Sequence, residues 1–179
     1  MAYTFDEPKL GLLQITAVDA GFTPPNQSTA IPTPPTTLGM IARAFDPTFG
    51  EGEFIVLAGV ASTVVGSLVI YNTTSYTTTL CPSTANLAQP VAVAMSANVA
   101  ATTFGWYQIS GVAVIKKTAV KVNPNVPLFI SATAGRVFPT ATSGKQILGA
   151  RTANATTIAS ATSTVNAILD RPHAQGQII

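Results

Sequence analysis

Short stretches in which larger apolar residues alternate with small or polar ones recur along this chain. In residues 91–95 (VAVAM), Val91, Val93 and Met95 occupy every second position, which is the repeat of a β-strand with one buried face. No window of useful length shows the 3.6-residue repeat of an amphipathic helix. The pattern predicts an all-β protein with a small β-sandwich or barrel-like domain.

Further strand-like segments follow at spacings typical of a sandwich or barrel. Residues 54–60 (FIVLAGV) form an apolar run suited to a buried strand, and residues 67–72 (SLVIYN) follow Gly66. Residues 73–80 (TTSYTTTL) are rich in β-branched threonine, which favours an exposed strand or hairpin. Two alternating segments are predicted on either side of Gly111, and further strands at residues 127–132, 146–150 and 165–169.

Proline is concentrated near the N-terminus. Residues 20–39 contain Pro24, Pro25, Pro32, Pro34 and Pro35. Because proline fixes φ and lacks an N–H, this segment is predicted to be extended rather than a helix or a central strand. We therefore divide the chain into an extended proline-rich N-terminal arm, residues 1–49, and a β-domain, residues 50–179. The arm is either a linker or a clamp ordered by a partner, and its candidate partner-binding residues are Pro24, Pro25, Pro34 and Pro35.

Charged side chains are few and unevenly distributed. They make up 9% of the residues, against about 25% in an average soluble domain. Because so sparse a charge adds little solubility, we expect the surface to be covered in an assembly. Residues 1–53 carry a net charge of −4 and residues 54–179 a net charge of +6. The acidic segment either attracts the basic part of another subunit or lies over its own domain.

The residue types used in catalysis and metal binding are sparse. Cys81 and His173 are the single cysteine and the single histidine, and the surroundings of Cys81 show no nucleophile motif. Asp170 is the one carboxylate after Glu53, so a two-carboxylate site would have to include the arm or its junction. No apolar run reaches the roughly 20 residues that span a bilayer. We predict no enzyme activity, cofactor, metal site or membrane partner.

Aromatic and basic residues supply the remaining candidate partner contacts. Trp106 and Tyr107 are adjacent on a predicted strand, so one ring enters the core while the other faces outward. Tyr107 is then either an interface anchor or an ordinary half-buried strand residue. Lys116 and Lys117 mark either a solvated strand end or a contact for an acidic partner surface, and Arg43 completes the set. The basic residues are too dispersed to predict a nucleic-acid-binding stripe.

Two long phrases carry a family resemblance. Residues 39–72 (GMIARAFDPTFGEGEFIVLAGVASTVVGSLVIYN) and residues 89–117 (QPVAVAMSANVAATTFGWYQISGVAVIKK) resemble the capsid decoration, or cement, proteins of tailed bacteriophages. The resemblance implies a β-rich domain that binds the major capsid protein from outside, often as a dimer or trimer, and bridges capsomers. It also implies synthesis in the host bacterial cytoplasm and a final location in the virion, and it brings no catalytic residues. A receptor- or glycan-binding module on the virion surface is the alternative.

Overall fold

Twelve β-strands form the regular structure of the residues that the computed structural model describes, which are 3–5, 13–21, 34 and 36–177. In chain order they are β1 (Thr4–Phe5), β2 (Val18–Asp19), β3 (Ile41–Asp46), β4 (Gly50–Ala58), β5 (Leu68–Tyr71), β6 (Thr78–Leu80), β7 (Val91–Ala94), β8 (Phe104–Lys116), β9 (Pro127–Ile130), β10 (Val137–Phe138), β11 (Gln146–Thr152) and β12 (Thr164–Ala174). No helix occurs among these described residues. The predicted all-β fold is confirmed.

The longest strand, β8, has 13 residues and organises the sheet. Its first half pairs with β4 along one edge and with β2 and β7 along the other. Its second half pairs with β12 from Ser110 to Lys116. The main strand order is β1-β3-β4-β8-β12-β11-β9-β10, with every neighbouring pair antiparallel, and β5 joins β7 to β6.

A glycine bend explains how one strand serves both halves of the molecule. The sequence predicts two segments around Gly111, and the structure shows a single continuous strand that bends there. Gly111 has a φ of +87°, which glycine adopts without steric cost. A Cβ atom at this position would also collide with the backbone carbonyl of Glu51. The bend directs the second half of β8 away from β4 and along β12.

Both faces of β4 from Phe54 onward and of the first half of β8 are buried, which is why these segments are mainly apolar. On one face, Val56 and Trp106 belong to an apolar cluster that also includes residues of the N-terminal segment. On the opposite face, Ile55 and Tyr107 belong to a cluster with residues of β5 and β7. The layered arrangement leaves no exposed side for the central part of this sheet.

The second half of β8 curls with β12, β11, β9 and β10 around a further apolar cluster. The Thr118 N–H, just after β8, donates to the Val137 carbonyl at 3.1 Å, so β10 lies beside the end of β8. The Leu68 N–H donates to the Gly135 carbonyl at 2.9 Å, so the start of β5 contacts the residues just before β10. This half of the molecule is barrel-like, and aliphatic side chains fill its interior.

The threonine-rich segment forms a hairpin, as predicted. The Asn72 side-chain oxygen accepts hydrogen bonds from the N–H groups of Thr74 at 2.7 Å and Ser75 at 2.9 Å, which stabilises the turn after β5. β6 then returns antiparallel to β5. Within β6 the buried Thr78 hydroxyl donates to the Ala58 carbonyl at 2.8 Å, so part of this polar segment is tied to β4.

The boundary predicted at residue 49 is wrong, because the described part of residues 1–49 belongs to the sheet. β3 pairs with β4 at six positions, and β1 pairs with β3. The Tyr3 hydroxyl donates to the Val112 carbonyl at 2.8 Å, and the Trp106 indole N–H donates to the Leu13 carbonyl at 2.7 Å. The alternation of residues 41–46 is that of a half-buried strand, although prolines precede it.

Candidate functional site

Arg43 lies on the exposed side of β3, between Ile41 and Phe45. Exposed and buried residues alternate strictly along this strand, so these three side chains point outward together. Ile41 is 43% exposed and Phe45 is 51% exposed. Aromatic residues and arginine are enriched in protein interfaces. We call Ile41, Arg43 and Phe45 the β3 face.

Two glutamates on the neighbouring strand hold the Arg43 guanidinium. Glu53 lies opposite Arg43 in the β3–β4 register, and Glu51 lies opposite Phe45. Arg43 Nε is 3.5 Å from Glu53 Oε1, and Arg43 Nη1 is 3.5 Å from Glu51 Oε1. The guanidinium is therefore oriented by opposite charges while its side chain stays 65% exposed.

A second arginine reaches Glu53 from β12. Arg171 Nε and Nη2 lie 3.1 and 3.0 Å from Glu53 Oε2. The Glu53 side chain is 17% exposed, whereas that of Arg171 is 63% exposed. Glu53 thus binds one arginine through each carboxylate oxygen and links β3 and β12 through β4.

These charges line one shallow depression of about 360 Å³ on the sheet surface. Its lining residues are Arg43, Glu51, Gly52, Glu53, Ser110, Asp170 and Arg171. We call its five ionisable residues the charged cluster. In a chain with 16 charged side chains, such a concentration at one place is a distinctive feature of the surface. The sequence did not predict it, because β12, which carries Asp170 and Arg171, is far along the chain from the β3–β4 hairpin.

Tyr107 is fully buried, which corrects the expectation that it contacts a partner. Its hydroxyl is 3.1 Å from the side-chain amide of Asn98, and burial raises the pKa of Tyr107 to about 12. Trp106 points to the opposite face, as predicted, and is fully buried as well. Neither ring is exposed because β5 and β7 cover one face and N-terminal residues cover the other.

Lys117 is also fully buried, so it is not a surface contact. Its ammonium group donates to the backbone carbonyls of Val120 at 2.8 Å, Ala159 at 3.1 Å, Thr118 at 3.3 Å and Ser160 at 3.4 Å. Burial lowers the pKa of Lys117. The side chain has an internal role, in which it ties the loop after β8 to the loop before β12.

The remaining candidate contacts stay predictions. Lys116 is half-buried and lies opposite Thr164 in the β8–β12 register. Pro34 is half-buried. Pro24, Pro25 and Pro35 lie outside the described residues.

Cys81 and His173 do not come together in the fold. Cys81 is buried in the apolar cluster of the barrel-like half, and burial raises the pKa of its thiol to about 12. A protonated thiol is a poor nucleophile at neutral pH. His173 is exposed near the end of β12. Among the residues that the structure describes, His, Cys, Asp and Glu nowhere form a group of three placed to hold a metal ion.

Comparisons with protein-family models and with curated proteins return no relative from which a role can be transferred. The chain matches no protein-family model and no curated protein. Within the described part of the chain, no helix has the length and apolar character needed to span a membrane.

Proposed function

We propose that this protein is a capsid cement protein, which binds the major capsid protein on the outside of a phage head and bridges capsomers. The β3 face is the contact surface. The observation that carries the proposal is the exposure of Ile41 and Phe45 on either side of an oriented Arg43. The resemblance of residues 39–72 and 89–117 to decoration proteins supports a capsid as the partner.

The chemistry of the β3 face suits a protein interface. Ile41 and Phe45 supply apolar area, and burying such area is the main favourable term in association. Glu51 and Glu53 restrain Arg43 before binding, which lowers the entropy lost when the arginine is fixed against a partner. Charged groups of the cluster then give orientation more than affinity.

The wider surface is consistent with a protein that works in an array. A chain with 9% charged residues has little electrostatic self-repulsion, so dense packing of many copies on a lattice costs little. Copies that associate as dimers or trimers attach through several contacts at once, and linked contacts raise the effective concentration at the lattice. We infer a mechanical role, in which bridged capsomers resist the internal pressure of the packaged genome.

The test uses purified heads that lack this protein. Adding the wild-type protein is expected to raise the temperature at which the heads release their genome. Phe45→Asp is expected to reduce occupancy, because it places a charge in the apolar part of the contact. Val99→Asp is the matched control, since Val99 is also 51% exposed but lies in the loop between β7 and β8. Full occupancy without added heat resistance, or equal binding of both variants, would sink the proposal.

The alternative function, a receptor- or glycan-binding module, rests on the threonine-rich residues 73–80 and on two aromatic side chains, those of Trp106 and Tyr107. Both side chains are buried, so neither offers a stacking surface for a sugar. Host-cell or glycan binding by Phe45→Asp after it has lost capsid attachment would favour this alternative.

A further inference from the structure

A second groove lies on the outer side of β11 and β12. It has a volume of about 420 Å³ and is lined by Gly149, Ala150, Arg151, Ile168, Leu169 and Asp170. We call it the β11–β12 groove. It does not include the β3 face, although Asp170 lines both this groove and the depression of the charged cluster.

Two opposite charges without partners lie beside an apolar side chain in this groove. Arg151 and Asp170 are exposed, and neither forms an ion pair or a side-chain hydrogen bond with another described residue. Ile168 is 37% exposed. Arg171, the residue next to Asp170, is by contrast held by Glu53. Arg151 and Asp170 therefore differ from the other four residues of the charged cluster, which form ion pairs with one another.

A β-bulge fixes the position of Arg151. The β11–β12 register shifts between Leu148 and Ala150, and Gly149 between them has a φ of +74°. A Cβ atom on Gly149 would lie 2.5 Å from the Asp170 carbonyl oxygen, so the two strands approach closely there. Bulges redirect the side chains that follow them. After this bulge, Arg151 is placed directly opposite Ile168.

The spacing of these residues is self-complementary. Paired strands lie about 4.8 Å apart, and residues two positions apart along a strand are separated by about 6.7 Å. Arg151 lies opposite Ile168 on the neighbouring strand, and Asp170 lies two positions after Ile168 on the same strand. Ile168 is therefore at comparable short distances from both charged residues. Consider a twofold axis that lies in the plane of contact, at equal distances from Arg151 and Asp170. Because Ile168 is about equally far from both residues, this axis passes close to it. Such an axis brings Arg151 of each copy onto Asp170 of the other and Ile168 onto its own equivalent.

We propose that the β11–β12 groove is a twofold contact between two copies of this chain, with Ile168 near the axis and two Arg151–Asp170 pairs around it. An isologous contact requires each residue set to complement itself, and the charges of Arg151 and Asp170 on either side of Ile168 meet that requirement. A contact of standard size takes roughly 800 Å² from each copy. That is less than a tenth of the 8871 Å² accessible surface. The contact does not depend on what the β3 face binds.

Charge reversal in the full-length protein tests this contact by sedimentation velocity and native mass spectrometry. The wild type is expected to sediment as a dimer. Arg151→Asp places two acids at each former ion pair, and Asp170→Arg places two arginines there. Each variant alone is expected to be monomeric, with a dimer dissociation constant raised by more than about 100-fold. An equimolar mixture of the two variants restores both ion pairs and is expected to form a heterodimer.

The control is Lys121→Asp, which reverses an exposed charge outside the groove and is expected to leave the wild-type dimer intact. Thermal melting followed by circular dichroism checks that each variant is folded. A monomeric wild type, dimers of either single variant, or a mixture that stays monomeric would each overturn the proposal.

Discussion

Glu53 and Arg171 are 118 positions apart in the sequence and form an ion pair in which the closest N–O distance is 3.0 Å. Both Arg171 donors contact the same oxygen of Glu53, which leaves the other oxygen facing Arg43. Glu53 therefore controls the position of Arg43, the central residue of the β3 face.

The first prediction concerns Glu53→Gln, which keeps the size of the side chain and removes its charge. Two arginines then lose a shared counter-charge, and the free energy of unfolding is expected to fall by about 1 kcal/mol. Glu51→Gln is the matched control and is expected to cost less than about 0.5 kcal/mol, because Glu51 is 58% exposed and contacts one arginine. Urea unfolding at low salt measures both values. Equal losses would contradict the central position given to Glu53.

A second prediction addresses the buried ammonium of Lys117. Lys117→Met keeps an unbranched chain of similar length but removes the ammonium donor from four backbone carbonyls, of which those of Thr118 and Ala159 still accept from the N–H groups of Val120 and Thr162. We expect a loss of about 1–3 kcal/mol in the free energy of unfolding. Lys116→Met, at the neighbouring half-buried position, is expected to change stability by less than about 0.5 kcal/mol. If both variants unfold at the same urea concentration, Lys117 does not hold the two loops together.

The third prediction is a pH dependence that originates at Tyr107. Its usual pKa of 10.0 is raised to about 12 in the folded protein, because burial disfavours the phenolate. The unfolded chain therefore releases this proton first. The stability associated with Tyr107 is complete below pH 10 and is lost as the pH rises from 10 towards 12, by about 1.4 kcal/mol per pH unit.

Tyr107→Phe isolates this effect because the other ionisable groups are common to both proteins. At neutral pH the variant is expected to be about 1 kcal/mol less stable, since it lacks the hydrogen bond to Asn98. Unfolding free energies measured from pH 8 to pH 12 should show this gap close above pH 10 and then reverse, because the wild type loses about 1.4 kcal/mol per pH unit and the variant does not. A gap that stays constant across that range would refute the assignment.

The fourth prediction concerns the bend in β8. Gly111→Ala puts a Cβ atom against the Glu51 carbonyl at a φ of +87°. Gly50→Ala imposes a comparable φ of +77°, but its Cβ would have no neighbour within 4 Å. The positive φ alone is expected to cost about 1 kcal/mol at either site. Thermal unfolding should therefore show Gly111→Ala to be the less stable of the two, and the reverse order would mean that the close approach of β4 and β8 is unimportant.

The sequence predicted the strands whose patterns are local. The alternation in residues 91–95 corresponds to β7, and the apolar run of residues 54–60 overlaps β4. Both patterns are recognisable in the sequence because buried strand positions are occupied by apolar residues. β3 lies within residues 1–49, where the prolines of residues 20–39 favour an extended arm rather than a strand. β12 is longer than the predicted residues 165–169 because its pairing continues past Asp170 to Ala174.

The candidate site was less predictable because it depends on pairings between distant strands. Glu53 lies opposite Arg43 because β3 and β4 form a hairpin, but nothing local indicates that Arg171, 118 positions beyond Glu53, reaches the same carboxylate. Lys117 was misplaced for a related reason, since its partners are backbone carbonyls, which every residue carries. The expected exposure of Tyr107 was wrong because the sequence shows which residues face opposite sides of a strand, but it does not show that β5 and β7 cover the second side.

A cryo-EM map of heads decorated with this protein tests the central claim most directly. We predict density on the outer surface of the shell, with Ile41, Arg43 and Phe45 against the major capsid protein and one molecule touching more than one capsomer. A bound molecule whose β3 face points to solvent, or one that contacts a single capsomer, would contradict the proposed function.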